Sequence, residues 1–312
     1  MRSSIRGCGI SKPGASLVSG MLVVAIALVC ALFGRQLAPY DPLRYNPREV
    51  LASPSAAHLL GTDPLGRDVF SQIIGGARVS MVVGLLSVAA GMVTGTAVGL
   101  VAGTLQGRTA GLLMRAMDAL LVFPSLVLAL TITAFLGASL WNMIGALAVT
   151  FVPTFAILVR GEVLALTARE FMTAAQGIGA SGWRVMWRHL LPNLSDVLLV
   201  QSSFGIGTAI LTEASLSFLG LGVPPPALSW GRMLREGYSF VLDAPWLALA
   251  AGGVIFLIVL ASQTVADGLQ AVLTRRRPGL SGGAGDRRRA RSLTALRRLL
   301  PQRTLLSRPG DR

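Results

Sequence analysis

Few side chains in this sequence could do covalent chemistry, and those that could are far apart. The histidines His58 and His189 lie in separate regions, and no His, Cys, Asp and Glu cluster has the spacing of metal ligands. The only lysine, Lys12, follows Ser11 rather than glycine, so it does not fit a G-x-x-x-x-G-K-[ST] phosphate-binding loop. We therefore predict no catalytic residue, no metal site and no cofactor in this chain, and any ATP-driven work would need a partner.

The most informative ionisable residue is Glu213, because it lies within a long apolar stretch. A charge at mid-membrane costs about 2.5–3.5 kcal/mol on insertion scales, so we expect Glu213 to face the interior of a helix bundle, near Ser217 and Ser202. Small and polar residues form another stripe of the same stretch: Gln201, Gly205, Thr208, Thr212 and Ser215. Such a stripe either allows close helix packing or lines a translocation path. The candidate path residues are Gln201, Thr208, Thr212, Glu213 and Ser215.

The elements that position these residues are membrane-spanning helices. Hydrophobic residues make up 53% of the chain and charged residues 13%, and a helix needs roughly 20 mostly apolar residues to cross a bilayer. Six segments meet this requirement: 17–37, 79–105, 118–137, 140–159, 196–221 and 246–272. We predict an all-α integral membrane protein with six transmembrane helices, the first a retained span rather than a signal peptide.

The distribution of charge predicts the orientation. The net charge of +14 comes mostly from residues 275–312, which hold twelve arginines and two aspartates. A basic tail beside a membrane helix favours anionic lipid over nucleic acid as its partner. With six spans both termini share one side, and placing them in the cytoplasm puts 21 of the 28 Lys and Arg residues inside.

The segments between the spans carry turn-forming and aromatic residues. Pro, Gly and Asp are frequent in the outer segment 38–78, which predicts turns with some packed structure. Trp230, Tyr238 and Trp246 are expected near the membrane interface. On the inner side, residues 169–176 favour a short helix that Gly177 and Gly179 can end.

Several motifs occur in an order that resembles the binding-protein-dependent ABC importer permeases, in particular the dipeptide and oligopeptide permeases of the C type. The loop at about 160–195 resembles their EAA loop, with Thr in place of the usual Glu: Thr173, Ala174, Ala175, Gly179, His189, Leu191 and Pro192. Further resemblances are Gly61-Thr62-Asp63, Gly66-Arg67-Asp68, Phe123-Pro124, Glu213 to Gly222 and Ser229-Trp230-Gly231. Together they extend over roughly 38–272.

This resemblance implies a type I ABC importer transmembrane domain at 78–272, with the loop docking on an ATPase. It places a cytoplasmic N-terminus, the first span and an outer segment at 1–77, and a basic cytoplasmic tail at 273–312. The implied partners are a homologous second permease, cytoplasmic ATPase subunits that use ATP and Mg, an extracytoplasmic solute-binding protein and membrane lipid. The implied location is the bacterial inner membrane, and the implied cargo is di- or oligopeptides.

Three alternatives stay open from the sequence. The same class of importer could carry nickel or other small solutes. An ion-coupled secondary transporter is a second possibility, although one intramembrane carboxylate is thin support for a proton relay. A non-transporting membrane scaffold is the third.

Overall fold

The structure, a computed structural model, describes residues 13–105, 107–168 and 185–276. Within these ranges it is almost entirely helical, and the only bridge between extended residues pairs Thr62 with Asp68. The α-helices of these ranges are α1 (Pro13–Leu37), α2 (Val69–Thr104), α3 (Arg108–Val122), α4 (Ser125–Leu136), α5 (Leu140–Thr167), α6 (Leu191–Phe218), α7 (Trp230–Ser239) and α8 (Pro245–Arg276). A π-helical turn, Met186–Leu190, leads directly into α6.

The described residues up to Leu269 belong to one compact unit. A second unit begins at Gln270, and of it the structure describes only the last turns of α8, to Arg276. The candidate site residues of the described chain all belong to the first unit.

Most of these helices are suited to a bilayer. Among the described residues, five segments are long and apolar enough to cross it: Ser16–Leu37, Val69–Thr104, Leu140–Thr167, Met186–Phe218 and Pro245–Thr274. A sixth span is obtained when α3 and α4, which meet at an angle of 90°, are taken as one broken span. The prediction of an all-α membrane protein is confirmed, and the count of six holds with that broken span.

The prediction of a continuous third helix over 118–137 is wrong. Helix α3 ends at Val122, Phe123 is extended with φ −80° and ψ 131°, and α4 begins at Ser125. The cause is Pro124, which lacks a backbone N–H and whose ring disfavours the helical conformation at the preceding residue. Apolar residues on both sides conceal this break from a count of hydrophobicity.

Other helices extend beyond the predicted spans. Helix α2 begins at Val69 rather than 79, because the Asp68 side chain accepts a hydrogen bond of 2.8 Å from the Ser71 N–H and caps the helix. The predicted division of the chain between 77 and 78 therefore falls within α2. Helix α5 continues to Thr167 rather than 159, since backbone caps and packing, not hydrocarbon thickness, set where a helix ends.

Glycines let α2 lie directly against α5. Every fourth residue along one side of α2 is glycine: Gly91, Gly95, Gly99 and Gly103. A Cβ atom added to Gly95 would lie 2.6 Å from the Val152 carbonyl oxygen and 2.7 Å from the Phe155 Cβ. In the absence of a hydrophobic driving force between helices in lipid, such close backbone approach provides the association through van der Waals contact.

The segment before α2 is a set of turns, as predicted, and it is anchored to the helix start. The Asp63 carboxylate accepts hydrogen bonds from the Leu65 N–H at 2.8 Å, the Arg67 N–H at 2.9 Å and the Gln72 amide at 2.8 Å. The Arg67 Nε donates to the same carboxylate at 2.6 Å. One buried carboxylate thus fixes the end of this segment to the first turn of α2.

Candidate functional site

Part of the predicted coupling loop lies outside the described residues, namely Thr173, Ala174, Ala175 and Gly179. The other three members are described. His189 belongs to the π-helical turn, and Leu191 and Pro192 are the first residues of α6. Proline fits a helix start because its missing N–H would have no intrahelical partner there.

This start of α6 is fixed to two other helices by apolar packing. Leu190 and Leu194 are fully buried, and they belong to one cluster with residues of α2 and α5: Leu100, Val159, Val163 and Leu166. The Asn193 amide donates to the His189 carbonyl at 2.6 Å and links the π-helical turn to α6. A displacement of the chain at Met186–Leu190 would therefore move the first turn of α6 relative to both α2 and α5.

The polar residues predicted to form a stripe lie on one side of α6. Successive helical residues are about 100° apart, so Gln201, Thr208, Thr212 and Ser215 fall on one side within about 60°. Thr208 is exposed and the other three are half-buried. Thr208, Thr212 and Ser215 donate their hydroxyls to carbonyl oxygens four residues earlier in α6. The stripe is thus polar, and its three hydroxyls are satisfied within the helix.

The structure separates Glu213 from this stripe. Glu213 is 0% exposed and points into the bundle, as expected for an intramembrane carboxylate. The Ser217 Oγ donates to its Oε1 at 2.7 Å, and the Ser80 Oγ donates to its Oε2 at 3.1 Å. Ser217 is the predicted neighbour. Ser202 is not a partner, because its hydroxyl donates to the Leu198 carbonyl at 2.7 Å and lies 3.1 Å from the Met92 sulfur.

The hydrogen bonds around Glu213 extend to α7. The Trp230 N–H donates to the Ser80 Oγ at 3.3 Å, and the Ser229 Oγ donates to the Ser217 Oγ at 3.4 Å. Helix α7 also rests on the α6 backbone, since a Cβ added to Gly231 would lie 2.4 Å from the Ala214 Cα. We call Glu213, Ser80, Ser217, Ser229 and Trp230 the Glu213 network. It connects α2, α6 and α7 through buried polar groups.

Trp230 therefore differs from the interfacial residue that the sequence predicts. It is 2% exposed, and its indole Nε1 donates to the Ile73 carbonyl at 2.9 Å. Tyr238, by contrast, is 65% exposed, as an interfacial position requires. Sequence analysis missed Ser80, Ser229 and Trp230 as partners of Glu213. The local signal that Trp230 packs closely against another helix was the pair of small residues beside it, Ser229 and Gly231.

A second polar cluster lies in the segment before α2. The imidazole of His58 is placed between two carboxylates, with Nδ1 2.9 Å from the Asp68 Oδ1 and Nε2 3.1 Å from the Glu49 Oε2. The Tyr40 ring lies 5.0 Å from the imidazole, centroid to centroid. The hydrogen bond with Asp68 is the main reason that the pKa of His58 is raised; burial acts in the opposite direction, and Glu49 adds to the rise.

Protonation of His58 should stabilise this cluster. Because the folded-state pKa lies above the ordinary value of 6.5, the stabilisation is complete below pH 6.5 and is lost as the pH rises through the raised value. We expect the melting temperature of the purified wild-type protein to fall over that pH window. In His58→Gln this fall should be absent. The measurement is a thermal unfolding series between pH 5.5 and 8.5. Equal profiles in the two proteins would contradict the assignment.

Comparisons with known proteins agree on the class of molecule. The family described as "Binding-protein-dependent transport system inner membrane component" matches residues 95–277. The chain is 40% identical to the dipeptide transport system permease protein DppC of Alkalihalophilus pseudofirmus, over 82% of this chain and 84% of that protein. It is 41% identical to the glutathione transport system permease protein GsiD of Pectobacterium atrosepticum, over 82% of this chain and 85% of that protein.

Proposed function

The chain belongs to the family of binding-protein-dependent transport system inner membrane components, and from this premise we propose that it is a permease subunit of an ATP-driven importer of di- or oligopeptides. The observation that carries the proposal is the similarity to a dipeptide permease and a glutathione permease over 82% of the chain. Dipeptides and glutathione are both short peptides. The long apolar helices and the bent α3–α4 pair fit a multi-pass membrane component.

We propose that a second, homologous permease completes the translocation path. The polar stripe of Gln201, Thr208, Thr212 and Ser215 supports this, because it leaves part of α6 without cover from the described residues. A polar stripe of this kind is suited to a water-filled cavity shared with another subunit, whereas hydrocarbon is a poor environment for it. Glu213 stays a candidate path residue, but in an indirect role. Its network would fix α6, which forms the wall of the path.

We propose that cytoplasmic ATPase subunits dock on the loop around Thr173, Ala174, Ala175 and Gly179. Two features support this: the chain has no lysine suited to a phosphate-binding loop, and the described end of the loop is packed against α2 and α5. ATP-driven closure of the ATPases would push on His189, Leu191 and Pro192 and move the inner end of α6. The path would then alternate between opening outward and opening inward.

We further propose that the protein lies in the bacterial inner membrane with both termini in the cytoplasm. The positive-inside distribution supports this orientation, as does the basic tail, which suits anionic lipid. An extracytoplasmic solute-binding protein would deliver the peptide to the side on which the Phe218 end of α6 and all of α7 lie. We call this the outer side.

The energy source and the cargo are tested together by uptake into vesicles. The vesicles contain the complete complex and receive the binding protein loaded with labelled di- to hexapeptides. We expect uptake to require ATP and to persist when the proton gradient is collapsed with an uncoupler. Uptake that is unaffected by ATP depletion but is abolished by the uncoupler would instead establish a secondary transporter. Import of nickel but not peptides would keep the class and change the cargo. Failure of any ATPase to co-purify with the chain would favour a scaffold.

A further inference from the structure

At the outer end of α6 the structure holds a concave site that none of the functions above uses. A cavity of about 400 Å³ lies between the end of α6, the following proline-rich segment and α7. Its volume is within the range of small-molecule sites, which is roughly 300–1,000 Å³. Its charged lining residues are Arg232, Arg235 and Glu236.

The charges lining this cavity do not balance. Glu236 is shared by two arginines, since its Oε1 lies 2.9 Å from the Arg232 Nε and its Oε2 lies 3.6 Å from the Arg67 Nη2. Arg235 forms no ion pair or side-chain hydrogen bond with the described residues. Arg232 keeps a buried Nη1 without a partner there. The cavity therefore offers one free guanidinium, that of Arg235, whereas the unpaired Arg232 Nη1 is buried and not open to the cavity.

The Arg235 side chain is exposed, and its guanidinium lies beside the backbone that follows α6. Gly220, which has a φ of +92°, ends α6, and a Cβ added to it would lie 2.3 Å from the Arg235 Nη1. Glycine adopts this positive φ without strain, and its missing side chain leaves room for the guanidinium. Arg232 and Arg235 are three residues apart on α7, so their side chains project on the same side of the helix.

This arrangement selects for a carboxylate. A guanidinium presents two parallel N–H groups that match the two oxygens of a carboxylate, and it stays charged at every physiological pH. Dipeptides and glutathione, the cargoes in the names of the two relatives, share a free C-terminal carboxylate. We infer that the cavity between the end of α6 and α7 receives the C-terminal carboxylate of the incoming peptide, with Arg235 as its ligand. This inference rests on the proposed function and adds a residue that determines specificity.

The test compares a dipeptide acid with its C-terminal amide. The complete complex is reconstituted in vesicles, and the solute-binding protein is loaded with either compound and its loading measured, so that rates refer to equal amounts of loaded protein. Initial ATP-dependent uptake is measured for wild type, Arg235→Gln and Arg235→Lys. Arg48→Gln, which changes an exposed arginine of the outer segment, is the matched control.

We expect Arg235→Gln to slow uptake of the acid about tenfold, which corresponds to one charge-assisted hydrogen bond, and to leave uptake of the amide nearly unchanged. The rate of acid uptake with Arg235→Lys should lie between those of wild type and Arg235→Gln, because lysine keeps the charge and loses the paired N–H geometry. Arg48→Gln should behave as wild type for both compounds.

Other outcomes overturn the inference. Parallel loss of acid and amide uptake would mean that Arg235 supports the fold or contacts the solute-binding protein; weaker docking of the binding protein to Arg235→Gln identifies the second case. Unchanged uptake of both would mean that the cavity takes no part in transport. If wild type imports neither compound, while an ATPase assay shows an active complex, the peptide cargo itself is wrong, and the inference is lost with it.

Discussion

Gly95→Val is expected to destabilise the protein by about 3 kcal/mol or more, at the upper end of the usual cost of overpacking. The first added carbon alone would lie 2.6 Å from the Val152 carbonyl oxygen, 2.7 Å from the Phe155 Cβ and 3.2 Å from the Ala156 nitrogen. Two of these are backbone atoms of α5, so no side-chain rotation relieves the contact. The helices must separate, and the close approach of α2 and α5 at Gly95 is lost.

The measurement is the melting temperature of the detergent-solubilised protein. Three kcal/mol corresponds to a fall on the order of 10 °C for a protein of this size. Gly145→Val in α5 is the matched control, because an added Cβ there meets nothing within 4 Å. Equal melting temperatures for Gly95→Val and Gly145→Val would show that α2 and α5 do not pack as the structure has them.

Glu213→Leu is expected to break the polar connection between α6, α2 and α7. The replacement has a similar volume, but Ser80 and Ser217 lose their shared acceptor inside the bundle. A buried donor left unsatisfied costs about 1–3 kcal/mol. Glu213→Gln keeps an acceptor oxygen and should cost less than Glu213→Leu.

The control for this prediction is a cycle of substitutions. If part of the cost of Glu213→Leu comes from the orphaned hydroxyl of Ser80, adding Ser80→Ala should recover that part, because the orphaned hydroxyl is removed. The recovery is incomplete, because the Ser217 hydroxyl and the Trp230 N–H are then left without their acceptors. Ser202→Ala, whose hydroxyl is bonded within α6, serves as a matched serine that lies outside the network. Additive costs for Glu213→Leu and Ser80→Ala would contradict the hydrogen bond between them.

The sequence predicts the helices of this protein well because the signal is local. Each membrane helix needs a run of apolar residues of a given length, and that run is visible without its neighbours. The break at Phe123 and Pro124 is visible too, but a hydrophobicity count does not detect one proline among mostly apolar residues. The early start of α2 depends on one capping carboxylate, Asp68, in a segment that otherwise consists of turns.

Packing partners are the part that the sequence does not reveal. The spacing of Gly91, Gly95, Gly99 and Gly103 shows that something lies close to α2, but nothing in it points to α5. The same holds for Glu213: burial of the carboxylate follows from membrane physics, whereas Ser80 lies 133 residues away along the chain. The coupling residues Thr173, Ala174, Ala175 and Gly179 rest on the family resemblance, since they lie outside the described residues.

The uptake assay with Gly179→Asp tests the central claim most directly. Vesicles hold the complete complex with wild-type chain or the variant at matched expression, and ATP-dependent uptake of labelled peptides is measured. A charged side chain at the proposed contact with the ATPase should abolish uptake while both permeases still assemble. Peptide uptake in wild type and its loss in Gly179→Asp is the result that we predict. Undiminished uptake in the variant would contradict coupling through this loop.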